Sequence, residues 1–395
     1  MAFAGLRGTG DWGTDERPKN FREMILWSNP NGSAPLTALL SKARSESVDD
    51  PEFSWWEESL TPVRVVTNYG TTYTTTDATL TIAADGLRLV PGDILLVEKA
   101  DATTYDNELL TVSSVTSDTV IVVKRGTANT TPATIPNTSY LTKLGTAFEE
   151  GSLSPKISQR NPTKLYNYTQ IFKTKIGQTE TALKTKARTG DAWKNDRKRK
   201  AFEHAVSMEM QFLFGKKYET TGADGKPLRY TGGLRQFITT NVTVFATTPT
   251  EDTLLTALYK VFDYNSESGA GDERIIWAGN GALNSLNKLS KSGTNTRINF
   301  DGTIKVYGMN LQRWTLPQGT FGIKTHPLLN LHGRYTNSMF VIDPTNLRYR
   351  HLRDTQIKSN VQANDSDSRE DMWISEVGLE VNHEATFAYI GNFIV

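Results

Sequence analysis

The sequence of 395 residues contains no cysteine. Disulfide bonds, thiolate nucleophiles and cysteine-ligated metal sites are therefore excluded. No apolar run is long enough to span a bilayer, and the first residues are polar and glycine-rich, with no apolar signal core. These absences predict a soluble protein that is made in a cytoplasm and has no membrane partner.

Net charge is also nearly absent, with 44 Lys and Arg against 43 Asp and Glu. This balance argues against a globally basic nucleic-acid-binding protein and against an acidic disordered chain. Hydrophobic residues make up 37% of the sequence. Such a modest fraction suits an extended, β-rich subunit whose further burial comes from neighbouring subunits.

Patterns typical of catalysis are missing as well. The five histidines show no HExxH spacing, and there is no nucleophile elbow or phosphate-binding loop. Residues 8–13 match GxGxxG, but no strand precedes them, as a dinucleotide site would require. The sequence therefore predicts no enzyme activity, no metal site and no cofactor.

The length of the chain predicts two to three domains. Residues 1–50 carry scattered Gly, Pro and Asn and predict an extended N-terminal arm, helix-like at 34–44, with little core of its own. Between 61 and 145, short β runs separated by turn signals predict an inserted all-β barrel or sandwich. Beyond 248, helical and strand patterns predict an α+β domain, followed by paired C-terminal strands.

Two strand-like segments, residues 52–60 and 163–181, flank the β-rich stretch and are predicted to pair as a long hairpin. Trp55 and Trp56 are adjacent in the first segment, so they must point to opposite faces and each needs separate cover. Cover by neighbouring subunits and burial on both sides within one domain are both compatible with this pattern.

A long charged helix is predicted over residues 191–215, since Asp191 is a suitable N-cap and Gly215 follows the last apolar residues. Glu209 falls within the predicted apolar face, where we expect an Arg or Lys partner or an interface. That face comprises Phe202, Ala205, Val206, Phe212 and Leu213.

A basic run lies in the first turns of this helix, formed by Lys194, Arg197, Lys198, Arg199 and Lys200. The pairs Asp196–Lys200 and Arg199–Glu203 have i,i+4 spacing, which can neutralise part of the run. A solvated helix surface and a weak, sequence-independent contact with phosphate both fit this pattern.

Several of these segments together resemble the SU10-type major capsid proteins of tailed bacteriophages. The resemblance runs in order over most of residues 51–238. It is carried by WWEE at 55–58, the PGDIL…ELLTVSSVTSDTVIVVKRG stretch, FEEGS at 148–152, NYTQIF at 167–172, the helix ending in LFGKK, and GGLRQFI.

This resemblance implies an α+β protein with the HK97-like capsid fold and an all-β insertion domain. The implied parts are an N-terminal arm (1–50), an E-loop hairpin (51–181) with the inserted domain at 61–145, a peripheral domain (182–247) with a spine helix at 191–215, an axial domain (248–328), and C-terminal strands (329–395) that complete the peripheral and axial domains.

The implied function is structural. Copies of the chain would form pentamers and hexamers of an icosahedral head around double-stranded DNA, assembled in the bacterial host cytoplasm, with portal, scaffolding or decoration proteins as further partners. The E-loop residues expected to contact a neighbouring subunit are Trp55, Trp56, Tyr168, Gln170 and Phe172, and the spine-helix residues of note are Phe202, Val206, Glu209 and Leu213. The Thr- and Asn-rich insertion keeps a second hypothesis open, a β-rich carbohydrate- or cell-binding adhesin or decoration protein.

Overall fold

The structure is a computed structural model that describes Leu36, Leu40 and residues 45–58, 63–68, 70, 72–98, 108–155, 157–159, 161–186, 190–264, 273–291, 300–306, 309–331 and 333–395. The chain divides into two compact units. The inserted unit is Trp56–Lys164, and the main unit combines Met1–Trp55 with Leu165–Val395. The glycine-rich stretch at 8–13 lies outside the described residues.

Strands dominate the described residues, with a smaller number of helices, as the α+β prediction requires. In chain order the strands are β1 (Ser45–Ser47), β2 (Glu52–Glu57), β3 (Arg64–Val66), β4 (Thr79–Thr81), β5 (Asp93–Glu98), β6 (Leu109–Ser117), β7 (Val120–Thr127), β8 (Tyr140–Thr146), β9 (Thr163–Tyr168), β10 (Gln170–Thr179), β11 (Tyr218–Thr221), β12 (Pro227–Tyr230), β13 (Val242–Val244), β14 (Glu273–Ala278), β15 (Phe300–Val306), β16 (Met309–Leu316), β17 (Gly319–Thr325), β18 (Met339–Ile342), β19 (Leu347–Lys358), β20 (Ser368–Val381) and β21 (Ala388–Gly391).

The α-helices are α1 (Glu180–Lys184), α2 (Ala192–Phe214), α3 (Leu234–Phe237), α4 (Glu251–Leu258) and α5 (Asn280–Lys291). Short 3-10 helices occur at Gly86–Arg88, Tyr259–Phe262, Pro327–Leu331, Tyr335–Asn337 and Glu384–Thr386. Among the described residues, no helix combines the length and the apolar character that crossing a membrane requires.

The inserted unit contains a six-stranded sheet in the order β3-β8-β5-β6-β7-β4. Its first and last strands are also joined, because the Asn68 amide donates to the Thr81 carbonyl at 2.9 Å and the Ala83 amide to the Val66 carbonyl at 2.8 Å. The sheet therefore closes into a barrel, which leaves no free strand edge along this seam. Alternate residues of each strand point inwards and form a core of its own, including Leu80, Leu95, Leu110, Ile121 and Leu141.

A buried ion pair fixes the barrel interior beside β6. The Arg125 Nε donates to Glu108 Oε1 at 2.6 Å, and both side chains are almost fully buried. The same carboxylate accepts the Ala133 amide at 2.9 Å, and the guanidinium also donates to the Thr74 carbonyl at 2.7 Å. Both charges are thus hydrogen-bonded, which is the condition under which a buried pair is tolerated.

The two strands that flank the inserted unit pair with each other, since β2 and β9 form a two-stranded sheet. The predicted long strand at 163–181 is in fact interrupted at Thr169, whose amide donates to the Pro51 carbonyl at 2.8 Å. Its second half, β10, instead pairs antiparallel with β20 in the four-stranded sheet β1-β19-β20-β10. Pairing with the upstream strand is therefore correct for the first half of the predicted strand and wrong for the second.

The long helix α2 begins and ends where the sequence predicts. The Asp191 side chain accepts the Lys194 amide at 3.2 Å, and the amide of Gly215 donates to the Gln211 carbonyl. At 1.5 Å per residue, its 23 residues span about 35 Å.

The predicted apolar face of α2 is partly wrong. Phe202 is 37% exposed and Val206 is only partly buried, whereas Leu213 is buried as expected. Hydrophobicity alone does not locate the buried face of α2, because two of the side chains on that face are polar and hydrogen-bonded. The buried residues are His204, Met208, Glu209, Phe212 and Leu213.

A seven-stranded sheet in the order β13-β21-β18-β14-β17-β16-β15 completes the main unit. Helices α4 and α5 pack on it through a core that includes Leu254, Leu286, Trp314 and Phe321. The C-terminal strands divide between sheets, because β18 and β21 join this one while β19 and β20 join the four-stranded sheet.

The N-terminal residues that the structure describes pack against the rest of the main unit. Leu36 and Leu40 are helical and fully buried in the core that contains Phe212 and Trp277. Strand β1 adds parallel to β19 at the edge of the four-stranded sheet. These residues form no core of their own, because the two leucines pack into the core of the main unit and β1 extends the edge of the four-stranded sheet. The rest of residues 1–44 lies outside the described part of the chain.

Candidate functional site

The paired tryptophans of β2 have opposite environments. Trp55 is buried, with its ring centroid 6.2 Å from that of Phe53 and 5.9 Å from that of Phe237. Trp56, on the other face of the strand, is 63% exposed. Adjacent strand residues must point to opposite faces, and the described residues cover one of these faces and leave the other exposed. The expectation that Trp55 needs a neighbour for its cover is wrong, whereas contact of Trp56 with a neighbour stays a prediction.

Phe172 on β10 is also covered by its own chain. It lies in the core with Met208, and its ring meets that of His204 edge-on at 6.4 Å. The inward face of β10 packs on α2, so the residues that alternate with Phe172 face outwards. Ile171 accordingly is half-exposed. The sequence analysis names Phe172 and not Ile171 as a contact residue, because the sequence alone does not show which of two adjacent apolar residues of a strand its own chain covers.

Tyr166 and Tyr168 lie at the end of β9, and their rings form an edge-to-face pair with centroids 5.7 Å apart. Burial, with a further contribution from the Glu52 charge, raises the pKa of Tyr168. The Lys217 Nζ lies 3.5 Å from the centroid of the Tyr166 ring and donates to the Tyr166 carbonyl at 3.2 Å. Burial lowers the pKa of Lys217, against the opposing effect of Glu52. The end of β9 therefore combines aromatic surface with a partly desolvated cation.

Asn167, which the sequence analysis did not single out, fixes this strand to the main unit. Its buried amide group donates to the Leu379 carbonyl at 2.7 Å and to the Gly232 carbonyl at 3.1 Å. Its side-chain oxygen accepts the amide of Gly232 at 2.8 Å. Gln170 has a related role, because its Oε1 accepts the Thr231 amide at 3.1 Å. The predicted contact of Gln170 with another subunit therefore competes with an internal hydrogen bond.

The hairpin of β11 and β12 exposes aromatic and aliphatic side chains that the sequence analysis also missed. Tyr218 stands opposite Tyr230 in the register, and Leu228 lies on the same face. All three are substantially exposed. A two-stranded ribbon with an uncovered apolar face is marginal in water. The signal available in the sequence is a pair of tyrosines, Tyr218 and Tyr230, on either side of the Asp224-Gly225 turn.

Glu209 is fully buried and paired, as predicted, and its partners include a backbone amide and a histidine. Its Oε1 accepts the Leu36 amide at 2.8 Å and lies 2.7 Å from His326 Nε2. These partners are 173 and 117 positions away in the sequence. A buried carboxylate with such partners acts as a structural clasp between α2, the N-terminal segment and the seven-stranded sheet.

The basic turn of α2 is largely paired within the helix. Arg199 lies 3.0 Å from Asp196 and 3.9 Å from Glu203, Lys200 lies 2.6 Å from Glu203, and Lys194 lies 3.5 Å from Asp191. The predicted Arg199–Glu203 pair is present, whereas Lys200 pairs with Glu203 rather than with Asp196. The guanidinium of Arg197 lies 6.0 Å from the centre of the Trp373 ring. Within the described residues, Lys198 has no ion-pair partner.

The described residues offer few side chains for acid–base or metal chemistry. They contain no group of three or more His, Asp or Glu that could hold a metal ion. His204 is buried between neutral hydroxyls, with Thr174 Oγ1 2.9 Å from its Nδ1 and Ser375 Oγ 2.8 Å from its Nε2. Burial lowers the pKa of this histidine, so the neutral ring is favoured.

Comparison with known proteins gives one family match over nearly the whole chain. The family model described as SU10 major capsid protein matches residues 6–393. The major capsid protein of Pseudomonas phage PaMx41 is 27% identical over 354 residues, which are 86% of this chain and 80% of that protein.

Solved structures that resemble this chain include the capsid of a native GTA particle, at a TM-score of 0.47 and 10% identity over 96% of both chains. Another is from Microbacterium phage Oxtober96, at a TM-score of 0.46 and 11% identity over 95% of this chain and 96% of that one. The comparisons give no support to the adhesin hypothesis.

Proposed function

The chain belongs to the SU10 major capsid protein family, and we propose that it builds a phage head by self-assembly into pentamers and hexamers. The match over residues 6–393 is the observation that carries this proposal. In this role the chain is a component of the virion, and its contribution is mechanical rather than catalytic. We infer that the head is icosahedral and that it is assembled in the bacterial host cytoplasm.

Uncovered apolar side chains support assembly from many copies. Trp56 on the flanking hairpin, Ile171 on β10 and Tyr218 on β11 all remain in contact with solvent in a single copy. Exposed apolar groups of this kind mark interaction surfaces. A shell formed by repeated copies of one chain covers such groups through many identical contacts.

We assign the parts of the HK97-like subunit as follows. The β2–β9 hairpin with the inserted barrel is the E-loop, and α2 with the four-stranded sheet is the peripheral domain. The seven-stranded sheet with α4 and α5 is the axial domain. Because β13, β18 and β21 belong to that sheet, the proposed axial domain draws on residues outside 248–328.

We propose that packaged double-stranded DNA is contacted weakly and without sequence preference by the first turns of α2. Among the residues that the structure describes, Lys198 and Arg197 form no ion pair, while Arg199, Lys200 and Lys194 pair with carboxylates of the same helix or its N-cap. Partial neutralisation leaves few cations to displace counterions from phosphate. A shell lined in this way binds DNA with low affinity, which suits a packaged genome that must later be released. Portal, scaffolding and decoration proteins are further proposed partners.

Electron microscopy and sedimentation of the purified chain test the proposal. We expect closed shells of uniform diameter that contain pentameric and hexameric capsomers. A chain that remains monomeric across salt and pH conditions, and that binds immobilised glycans instead, would contradict it.

A further inference from the structure

A cavity of about 400 Å³ lies in the main unit, between α2 and the strands β19 and β20. Its walls include the aromatic rings of Tyr349 and Trp373 and the side chain of Met208. On the helix side it is bounded by Ala201 and Ala205, which are four positions apart and therefore share a helix face, and whose short side chains leave the space open. We name this space the α2–β19 cavity. Its size and largely apolar walls are typical of sites that bind a small organic molecule.

A β-bulge places polar groups at the edge of this cavity. The register of β19 with β20 shifts between Arg353 and Gln356, so that Asp354 and Thr355 together stand opposite one residue of β20, Ser375. A bulge of this kind turns side chains out of the regular alternation of a strand and recurs beside functional sites. Both bulged residues line the cavity. The bulge therefore adds a carboxylate and a hydroxyl to walls that are otherwise mainly apolar.

The carboxylate of Asp354 is held in place by neutral groups. It accepts the Thr355 amide at 2.7 Å and the Tyr349 hydroxyl at 3.4 Å. Burial raises the pKa of Tyr349, and the Asp354 charge raises it further, so this hydroxyl stays neutral. The Tyr349 ring stacks on His351, whose Nδ1 lies 3.2 Å from the Ser45 hydroxyl. Among the described residues, Asp354 forms no ion pair, and its negative charge is left for a ligand.

The cations of the elements around the cavity are engaged elsewhere. The arginines of β19 pair with carboxylates of β20, as Arg348–Glu380, Arg350–Glu380 and Arg353–Glu376. On α2, the Arg197 guanidinium lies 6.0 Å from the centre of the Trp373 ring, but Arg197 does not line the cavity. His204 does line it, and burial lowers the pKa of this ring, which favours the neutral form. The charge that the cavity presents is therefore that of Asp354.

We propose that the α2–β19 cavity binds a small organic ammonium compound, whose apolar body fills the space beside Ala201 and Ala205 and whose ammonium group pairs with Asp354. Aromatic rings such as those of Tyr349 and Trp373 attract organic cations through their electron-rich faces. Charge complementarity selects an ammonium over a carboxylate of the same size. Because the molecule contacts α2, β19 and β20 at once, its binding stabilises the main unit.

Tryptamine and tryptophol, which carry the same indole body, form a matched pair of probes. Tryptamine ends in an ammonium group and tryptophol in a neutral hydroxyl. By isothermal titration calorimetry of the purified chain, we expect tryptamine to bind with a dissociation constant of about 0.1–1 mM. Tryptophol should bind at least about tenfold more weakly, because it cannot form the charged hydrogen bond to Asp354.

Two variants, each with a control, locate the site. Ala205→Leu fills the cavity and should abolish the binding of both probes, whereas Ser207→Leu adds the same bulk to an exposed position of α2 outside the cavity and should change neither. Asp354→Asn should weaken tryptamine binding by at least about tenfold and leave tryptophol binding unchanged. Asp365→Asn removes an exposed carboxylate from the loop between β19 and β20 and should have no effect.

The outcomes separate the position of the site from its preference for charge. Absence of tryptamine binding to the wild type, or equal binding to the wild type and Ala205→Leu, would overturn the proposed site. Equal affinities for tryptamine and tryptophol, or an unchanged affinity of Asp354→Asn for tryptamine, would overturn the ammonium assignment. Circular dichroism shows whether Ala205→Leu is folded. If it is not, Asp354→Asn decides the question alone, because its side chain is exposed and the substitution preserves its shape.

Discussion

Trp55 and Trp56 are neighbours in the chain, yet we expect their substitutions to affect different properties. Trp55→Ala should destabilise the subunit by about 3–5 kcal/mol, because it removes a buried ring packed against Phe53 and Phe237. Trp56→Ala should change subunit stability by less than about 0.5 kcal/mol and should lower particle yield, because its ring is exposed in one copy. Denaturant unfolding of the unassembled subunit and sedimentation of particles measure the two effects. Equal losses of subunit stability would place both rings in an internal core.

The clasp formed by Glu209 gives a second prediction. Glu209→Ala should cost about 3 kcal/mol or more of unfolding free energy, since it leaves the buried Leu36 amide and the His326 ring without their acceptor. Glu209→Gln retains an acceptor oxygen and should cost clearly less. Urea unfolding midpoints of the two variants compare them directly. If both variants unfold at the wild-type midpoint, Glu209 is not a clasp.

Burial of His204 predicts a loss of stability in mild acid. The folded-state pKa of His204 lies below its ordinary value of 6.5, so the unfolded chain binds the proton more readily. The contribution is therefore fully present above about pH 6.5 and is lost as the pH falls towards the folded-state pKa. We expect the unfolding free energy of the wild type to fall more steeply between pH 7.5 and 5.5 than that of His204→Gln. Parallel pH profiles of the two proteins would show that His204 is not the group responsible.

Burial at single positions was only partly predictable. The position of Glu209 among apolar residues predicts a paired carboxylate or an interface, and in the structure this side chain is buried and paired. Its partners could not be predicted, because Leu36 and His326 approach it only after distant segments have folded together. His204 was not assigned to a buried face at all, since its burial depends on the hydroxyls of Thr174 and Ser375.

Among the elements, α2 was the most predictable because its ends are specified locally. Asp191 and Gly215 act within one turn of the helix, so their effect does not depend on the rest of the fold. Strand β10 is the opposite case. Its partner β20 begins at Ser368, and no nearby residue indicates that pairing. The interruption at Thr169 likewise depends on a hydrogen bond to Pro51, which lies far upstream.

The N-cap of α2 can be tested by itself. Asp191→Ala should destabilise the subunit by about 1 kcal/mol, because the Lys194 amide loses its side-chain acceptor at the helix start. Asp191→Asn keeps an acceptor and should retain most of the stability. Thermal unfolding followed by circular dichroism distinguishes them. A larger loss for Asn than for Ala would indicate that charge rather than capping matters at this position.

For the whole molecule, we predict that the main unit folds without the barrel. Replacing residues 61–145 with a short linker should leave soluble, helix-containing protein, since the barrel has its own core. The strands that begin and end the barrel along the chain, β3 and β8, are also paired with each other at Arg64 and Thr142. Soluble yield and far-ultraviolet circular dichroism provide the measurement. Aggregation of the shortened chain, with the isolated barrel folding normally, would show that the main unit depends on the insertion.

The paired ends of the barrel also bear on how this gene can change. Because β3 and β8 are neighbours in one sheet, an exchange of the DNA that encodes residues 61–145 alters neither the spacing of β2 and β9 nor any residue of the main unit. Recombination can therefore add, remove or replace this cassette in a single step. We expect the evolutionary history of the inserted segment to differ from that of the main unit.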